Sequence, residues 1–175
     1  MCGIAGIATK EGSIDSWMIK AMCDRLFLRG PDAEGLYINK NIGLGHRRLS
    51  ILDLRTGDQP MFSTDGTVVV VFNGEIYNYE KLKKELLAKG SSFHTNSDTE
   101  VLINGYISFG IDEILNRIEG MFAFALYDMK NHKLFIARDK FGEKPLYYCR
   151  DKQSLWFASE LKAFPDELLD RKSVV

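Results

Sequence analysis

The chain opens MCGIAGI, residues 1–7, and the reading of that stretch decides the fold. From Cys2 to Thr9 the residues are small or apolar, few in number and bounded by polar ones, which predicts a buried strand over CGIAGIAT. Taken alone, a cysteine beside such a strand reads as a small core residue. Its position admits a second reading. If Met1 is removed, which the small side chain that follows permits, Cys2 carries a thiol and a free α-amino group on one residue. In model peptides these groups titrate at about 8.5 and about 7.7–8.0. The amine is therefore able to take the thiol proton near neutral pH, directly or through one water. Such a residue contains its own base, the N-terminal form of an activated nucleophile.

The rest of the composition sets bounds. The 175 residues suffice for one domain with a substantial core. A net charge of -1 gives no bulk electrostatic reason to expect nucleic acid or an anionic membrane as partner. No apolar run reaches the roughly 18 residues of a spanning helix, and the N-terminus does not read as a secretory signal. Cys2, Cys23 and Cys149 are an odd set without metal-like spacing, so no metal site is expected. Unpaired thiols fit a reducing compartment, and the cytoplasm is the expected location.

Outward from the first strand, Met18, Met22 and Leu26 fall four apart and predict a helix over Ser16 to Phe27. RGPDAEG is a turn cluster. LYIN and IGLGH pair as a hairpin across Lys40 and Asn41. TVVVVFNGEIY is β-branched and then meets an Asn-Gly turn signal, so its strand is expected to finish near Asn73. Asn78 reads as a helix N-cap, with Leu82 and Leu86 on one face and Gly90 past the end. Ser97 or Asp98 caps the next helix, which Gly110 stops, and a shorter helix follows from Asp112 to Ile118. MFAFALYD, KLFIARD, PLYYCR and SLWFASE then read as meandering, antiparallel strands. Helices clustered between two sets of strands place the chain in the α+β class.

Four segments could serve chemistry. Of the three histidines, His46, His94 and His132, none sits in a nucleophile–base context, and each reads as structural or exposed. In GHRRLSILD, adjacent arginines on a strand point to opposite faces, one to solvent and the other inward. An inward guanidinium suits a carboxylate, because its planar fork makes two parallel charge-assisted bonds. In FNGEIYN, the Asn73 amide and the Gly74 N–H form a plausible donor pair for a tetrahedral oxyanion, with Glu75 beside them to hold an ammonium. In SDTEV, Asp98 is a good helix cap and also a second carboxylate for a cation. A thiol, an oxyanion pair, a guanidinium and two carboxylates together complement an α-amino acid whose side chain carries an acyl carbon. Glutamine fits.

At this point a resemblance enters. MCGIAGI, RGPDAEG, GHRRLSILD, QPM, VVFNGEIYN, SDTEV, EGMFAFALYD, RDKFGEKPLYY and FASELKA occur in order from residue 1 to about residue 164. As a set they resemble the glutamine-hydrolysing domain of asparagine synthetase, a class II glutamine amidotransferase. That family is an N-terminal-nucleophile hydrolase, so the resemblance implies an αββα sandwich of two antiparallel sheets. It implies Cys2 as nucleophile on the glutamine side-chain carbonyl, with Arg48 on the substrate α-carboxylate. Asn73 and Gly74 would form the oxyanion hole, and Glu75 and Asp98 would engage the substrate amino end. Glutamine would give glutamate and ammonia without a cofactor. ATP and Mg2+ are expected only for a synthetase domain, in cis or in trans, which this chain does not contain.

Sister enzymes of class II carry a TRWATHG-type segment where this chain has GHRRLSI, which places it with the asparagine-synthetase branch. It departs from the family pattern at Leu28, where members usually have histidine before RGPD. The resemblance fades after Phe164 without the final glutaminase strands or an SGGxDS-type pyrophosphate loop, so residues 1–175 read as a glutaminase domain truncated at its C-terminus. Two alternatives stand beside this reading. One is the glutaminase domain of an amidotransferase with another acceptor, such as a sugar carboxylate in polysaccharide biosynthesis. The other is a catalytically silent regulatory domain.

Overall fold

Four consecutive valines, Val68 to Val71, alternate across a strand and so need an apolar layer on each side. The computed structural model, which describes residues 1–50 and 57–169, supplies both layers. Val68, Val70 and Phe72 pack under helices, whereas Val69 and Val71 pack against a second sheet. The first sheet has the order β2-β3-β1-β9-β8, with β1 Gly3–Thr9, β2 Ala33–Asn39, β3 Ile42–Arg48, β8 Tyr147–Arg150 and β9 Ser154–Ala158. The second has the order β4-β5-β6-β7, with β4 Met61–Phe62, β5 Val68–Ile76, β6 Gly120–Asp128 and β7 Lys133–Arg138. All pairings are antiparallel.

Helix α1 (Ser16–Arg25) covers the outer face of the first sheet through Ile19, Met22, Cys23 and the following Leu26. Helices α2 (Tyr79–Ala88), α3 (Asp98–Phe109) and α4 (Ile111–Arg117) cover the second through Leu82, Leu86, Val101, Leu102 and Ile114. Ile4, Leu44, Val69, Val71, Ala123 and Phe157 fill the space between the sheets. Each large apolar side chain buried there stabilises the sandwich by about 1.5–3 kcal/mol. The α+β, αββα expectation therefore holds, with three apolar layers between four structural ones. A short α5 (Asp166–Leu169) follows β9. Among the described residues no helix is long and apolar enough to cross a membrane.

Four local expectations need correction. β5 does not finish at Asn73 but runs through it to Ile76, with Asn73 opposite Ala123 and Gly74 opposite Phe122. Asn-Gly signals a turn when the chain must reverse; here a glycine is required inside the strand. A Cβ on Gly74 would lie 2.3 Å from the Met121 carbonyl oxygen. Asn78 stands at the N-cap position of α2, but its side chain does not cap. It donates to the Arg117 carbonyl and accepts from the Glu119 N–H, tying α4 to β6. Ser97, of the two candidates, caps α3 by accepting from the Thr99 N–H. The four C-terminal strands pair antiparallel in twos, but β6 and β7 belong to one sheet and β8 and β9 to the other. Lastly, neither arginine of the pair Arg47 and Arg48 is solvated. The segment Ile51 to Asp53 of GHRRLSILD lies outside the described residues.

Candidate active site

Strand parity alone assembles one end of the inter-sheet space. On β1 the even positions Ile4 and Ala8 face the opposite sheet, and Cys2 continues that row. On β3 the row is Ile42, Leu44, His46 and Arg48, and on β5 it is Val69, Val71 and Asn73. Antiparallel register sets Gly3 against Arg47, so Cys2 comes beside Arg48. The apolar core ends where these rows turn polar, and a cleft of about 140 Å³ opens there. That volume holds roughly ten water-sized positions, enough for a small polar metabolite. Cys2, Arg48, Asn73, Gly74, Glu75 and Asp98 all line it. The sequence expectation thus names six residues from four elements that the fold brings to one place.

The oxyanion pair has a specific geometry. In β5 the odd residues bond to β6, as the flanking Tyr77 N–H does to the Glu119 carbonyl and the Met129 N–H does to Thr67. The even residues therefore present their N–H groups to the other edge, which β4 covers only as far as Val70. Gln59 Oε1 takes the Phe72 N–H at 2.6 Å, and Asp98 Oδ2 takes the Ile76 N–H at 2.9 Å. Between them the Gly74 N–H has no partner among the described residues. The Asn73 side chain is 1% exposed, and its Nδ2 is likewise unpartnered there. Of the buried side-chain donors in that condition, Asn73 Nδ2 is the one that lines this cleft. Leaving a buried donor unpaired costs about 1–3 kcal/mol. Two such donors, adjacent in sequence and beside a thiol, are suited to an oxygen that develops negative charge.

The remaining groups divide the cleft electrically. Arg48, 7% exposed, pairs through Nη1 with Asp58 at 2.6 Å. At the other side stand Glu75 and Asp98. Burial pushes the Asp98 carboxyl above the usual carboxylate range, partly offset by the Ile76 and Thr99 N–H groups and reinforced by the Glu75 charge. Its ionised form therefore opposes folding near neutral pH, and that cost disappears as pH falls. A cation bound between the two carboxylates would offset it. His46 is 1% exposed, and its Nε2 meets the Phe72 carbonyl at 3.2 Å. Burial holds its imidazole down to about 4, with the Arg48 charge acting the same way and Phe72 and Asp58 opposing. His46 is thus neutral at neutral pH and reads as structural, tying β3 to β5. His132, read from the sequence as structural or exposed, is exposed.

Cys2 is held from both sides. Its Sγ accepts from the Leu49 N–H at 3.4 Å, and Arg29 Nε donates to its carbonyl at 2.8 Å. Arg29 is itself fixed by Glu160 at 3.1 Å. Sequence reasoning assigned no role to Arg29, Gln59 or Lys144, although each lies inside a quoted motif. Their partners are remote in sequence, so no local spacing could announce them. Leu28, the departure from the family pattern, is 82% exposed and does not line the cleft.

Known proteins resemble this chain over most of its length. A family model described as "Glutamine amidotransferase domain" matches residues 1–174. Asparagine synthetase [glutamine-hydrolyzing] 1 of Bacillus subtilis is 43% identical over 167 residues, which is 93% of this chain and 26% of that protein. Asparagine synthetase [glutamine-hydrolyzing] 2 of the same organism is 44% identical over 93% of this chain and 22% of its own length. The chain thus spans about a quarter of the length of these relatives. Among solved structures, the glutamine phosphoribosylpyrophosphate amidotransferase of B. subtilis superposes with a TM-score of 0.79 over 99% of this chain and 44% of that one, at 23% identity. That likeness is one of fold.

Proposed function

The chain belongs to the glutamine amidotransferase domain family, and from that premise we propose that it hydrolyses glutamine through a thioester on Cys2. The Met1-free α-amino group takes the Cys2 proton, and the thiolate adds to the side-chain carbonyl. The C–S bond forms as the C=O π bond becomes an oxyanion, received by Asn73 Nδ2 and the Gly74 N–H. Collapse breaks the C–N bond, and the α-ammonium returns its proton to the departing nitrogen, which leaves as ammonia. Water, deprotonated by the same amine, then adds to the thioester and expels the thiolate, giving glutamate. Arg48 would hold the substrate α-carboxylate, and Glu75 with Asp98 the α-ammonium. No cofactor takes part in this half-reaction.

The observation that carries the reading is the pair of donors, Asn73 Nδ2 and Gly74 N–H, unpartnered among the described residues, in the cleft that Cys2 lines. The curated relatives and the fraction of their length that this chain spans support a further proposal. The ammonia would serve an asparagine-synthetase-like reaction on a synthetase domain in cis, where ATP and Mg2+ would act on aspartate. An extension that keeps Cys2 internal tests the core of the mechanism. Protein with Cys2 as its first residue is expected to release ammonia from glutamine, and the extended form to lose at least about 99% of that rate, since general-base assistance contributes 10²–10⁴-fold. Full activity in the extended form would overturn the mechanism.

A further inference from the structure

Beyond the point where β4 ends, side chains instead of a strand close the edge of β5, and Gln59 is the first of them. Its backbone lies flush against β2: a Cβ on Gly35 would overlap the Gln59 carbonyl oxygen. Its side chain crosses to the other sheet. The Phe72 N–H can only donate, so the atom it meets at 2.6 Å is Oε1, and the orientation of the amide is fixed. Nε2 then faces the start of α3, where it donates to Thr99 Oγ1 at 3.4 Å. Thr99 is buried and follows Asp98, whose carboxylate takes the Ile76 N–H. One residue thus joins β2, β5 and α3 around the cleft that it also lines.

We propose that Gln59 is a positioning residue that sets the register of the oxyanion on β5. Phe72, Gly74 and Ile76 present their N–H groups along one edge, about 7 Å apart. An extended edge does not by itself distinguish one such donor from the next. Gln59 occupies the first and Asp98 the third. Among the described residues only the middle one is left open, beside Asn73 Nδ2 in the cleft that Cys2 lines. A ligand oxygen therefore has one place on the edge to settle. The Phe72 carbonyl is held by His46 Nε2 at 3.2 Å, so the residue before Asn73 is fixed at both of its backbone polar groups. Without the Gln59 acceptor the Phe72 N–H becomes a second open donor, and one side of that residue is released. The substrate carbonyl then has a competing position one step along the strand, away from the Asn73 amide. This inference deepens the glutaminase reading and rests on it for the consequence on turnover.

Two variants isolate the bond. Gln59→Met keeps the length without the carbonyl, and Gln59→Asn keeps the amide but is one methylene short. Amide hydrogen exchange in the Met1-free protein reads the edge residue by residue. In wild type the Phe72 and Ile76 amides are expected to exchange slowly and the Gly74 amide fast. In both variants Phe72 should join Gly74, while Val71, Asn73 and Ile76 stay protected. With glutamine as substrate, kcat should fall by roughly 10²-fold, the scale of about 1 Å of misplacement at a reacting centre, and KM should not change. A Phe72 amide that exchanges fast already in wild type would overturn the proposal. So would an unchanged kcat in variants whose Phe72 amide has opened. Protection lost along the whole of β5 together with a raised KM would assign Gln59 to packing alone, and would overturn it as well. Wild-type protein with the expected exchange pattern and no release of ammonia would remove the glutaminase reading and this proposal together.

Discussion

The two faces of β3 carry neighbouring arginines with opposite fates. Arg47 points to the helical layer, where Nη2 meets Asp24 and Glu34 at 2.7 Å each, Nε donates to the Cys23 carbonyl, and Phe27 lies 5.5 Å beneath the guanidinium. Its setting is closed on itself and ties α1 to β2 and β3. Arg48 points between the sheets, at the polar end of the core, and its charge borders the cleft of Cys2. Both are nearly buried, so burial does not separate a side chain in a closed setting from one that borders a cleft. What separates them is the surroundings: saturated for Arg47, and for Arg48 a cleft whose donors at Asn73 and Gly74 stand open. Only the unsaturated side has capacity left for a ligand.

Three measurements press on that contrast, from the largest effect down. Asn73→Ala removes an open donor, and is expected to lower kcat for glutamine by 10²–10³-fold, about 2.7–4 kcal/mol of barrier. Because that donor has no partner in the free protein, the melting temperature should not fall. A normal turnover number would return Asn73 to the structural class. The arginines themselves come next. Arg48→Ala should raise KM for glutamine by roughly 10²-fold, the loss of about 3 kcal/mol of charge-assisted bonding, and Arg47→Ala should leave KM alone while lowering thermal stability. Equal changes in KM from the two variants would erase the distinction between the faces.

The smallest effect concerns His46, which sits on the cleft's row but is closed like Arg47. Its folded-state value of about 4 lies below the ordinary 6.5, so its contribution to stability is fully present above pH 6.5 and is lost as pH falls toward 4. At pH 5 the loss amounts to about 2 kcal/mol. Chemical denaturation at pH 7 and pH 5 should show that drop, and His46→Gln should flatten it. A drop of the same size in His46→Gln would assign the acid sensitivity to other groups.

Legibility in the sequence followed the range of the interaction. The helix over residues 16 to 25, the hairpin at Lys40–Asn41 and the Ser97 cap rest on neighbours within a turn, and pattern reading placed them within the expected margins. Asn73-Gly74 is the instructive miss. The dipeptide has turn chemistry, but the close approach of the β6 backbone demands a glycine in mid-strand, and β6 lies some fifty residues further on. The fold brings the motif's residues to the cleft, although their local conformation was misread. Arg29, Gln59 and Lys144 were passed over for the same reason, since a lone long or polar side chain carries no periodicity.

The sequence by itself determined the alternation that makes two-sided strands, the α+β class, and the stock of reactive groups, with a thiol one position from the chain start. Side-chain parity and local capping are properties of a few consecutive residues, so they can be read there. Which groups meet was decided by the tertiary structure alone. Lys144 reaches Met1 across 143 positions of chain, and the open edge of β5 exists because β4 stops after two residues. Such contacts depend on how sheets stack and where a neighbouring strand ends, and no stretch of residues carries that information before the chain has folded.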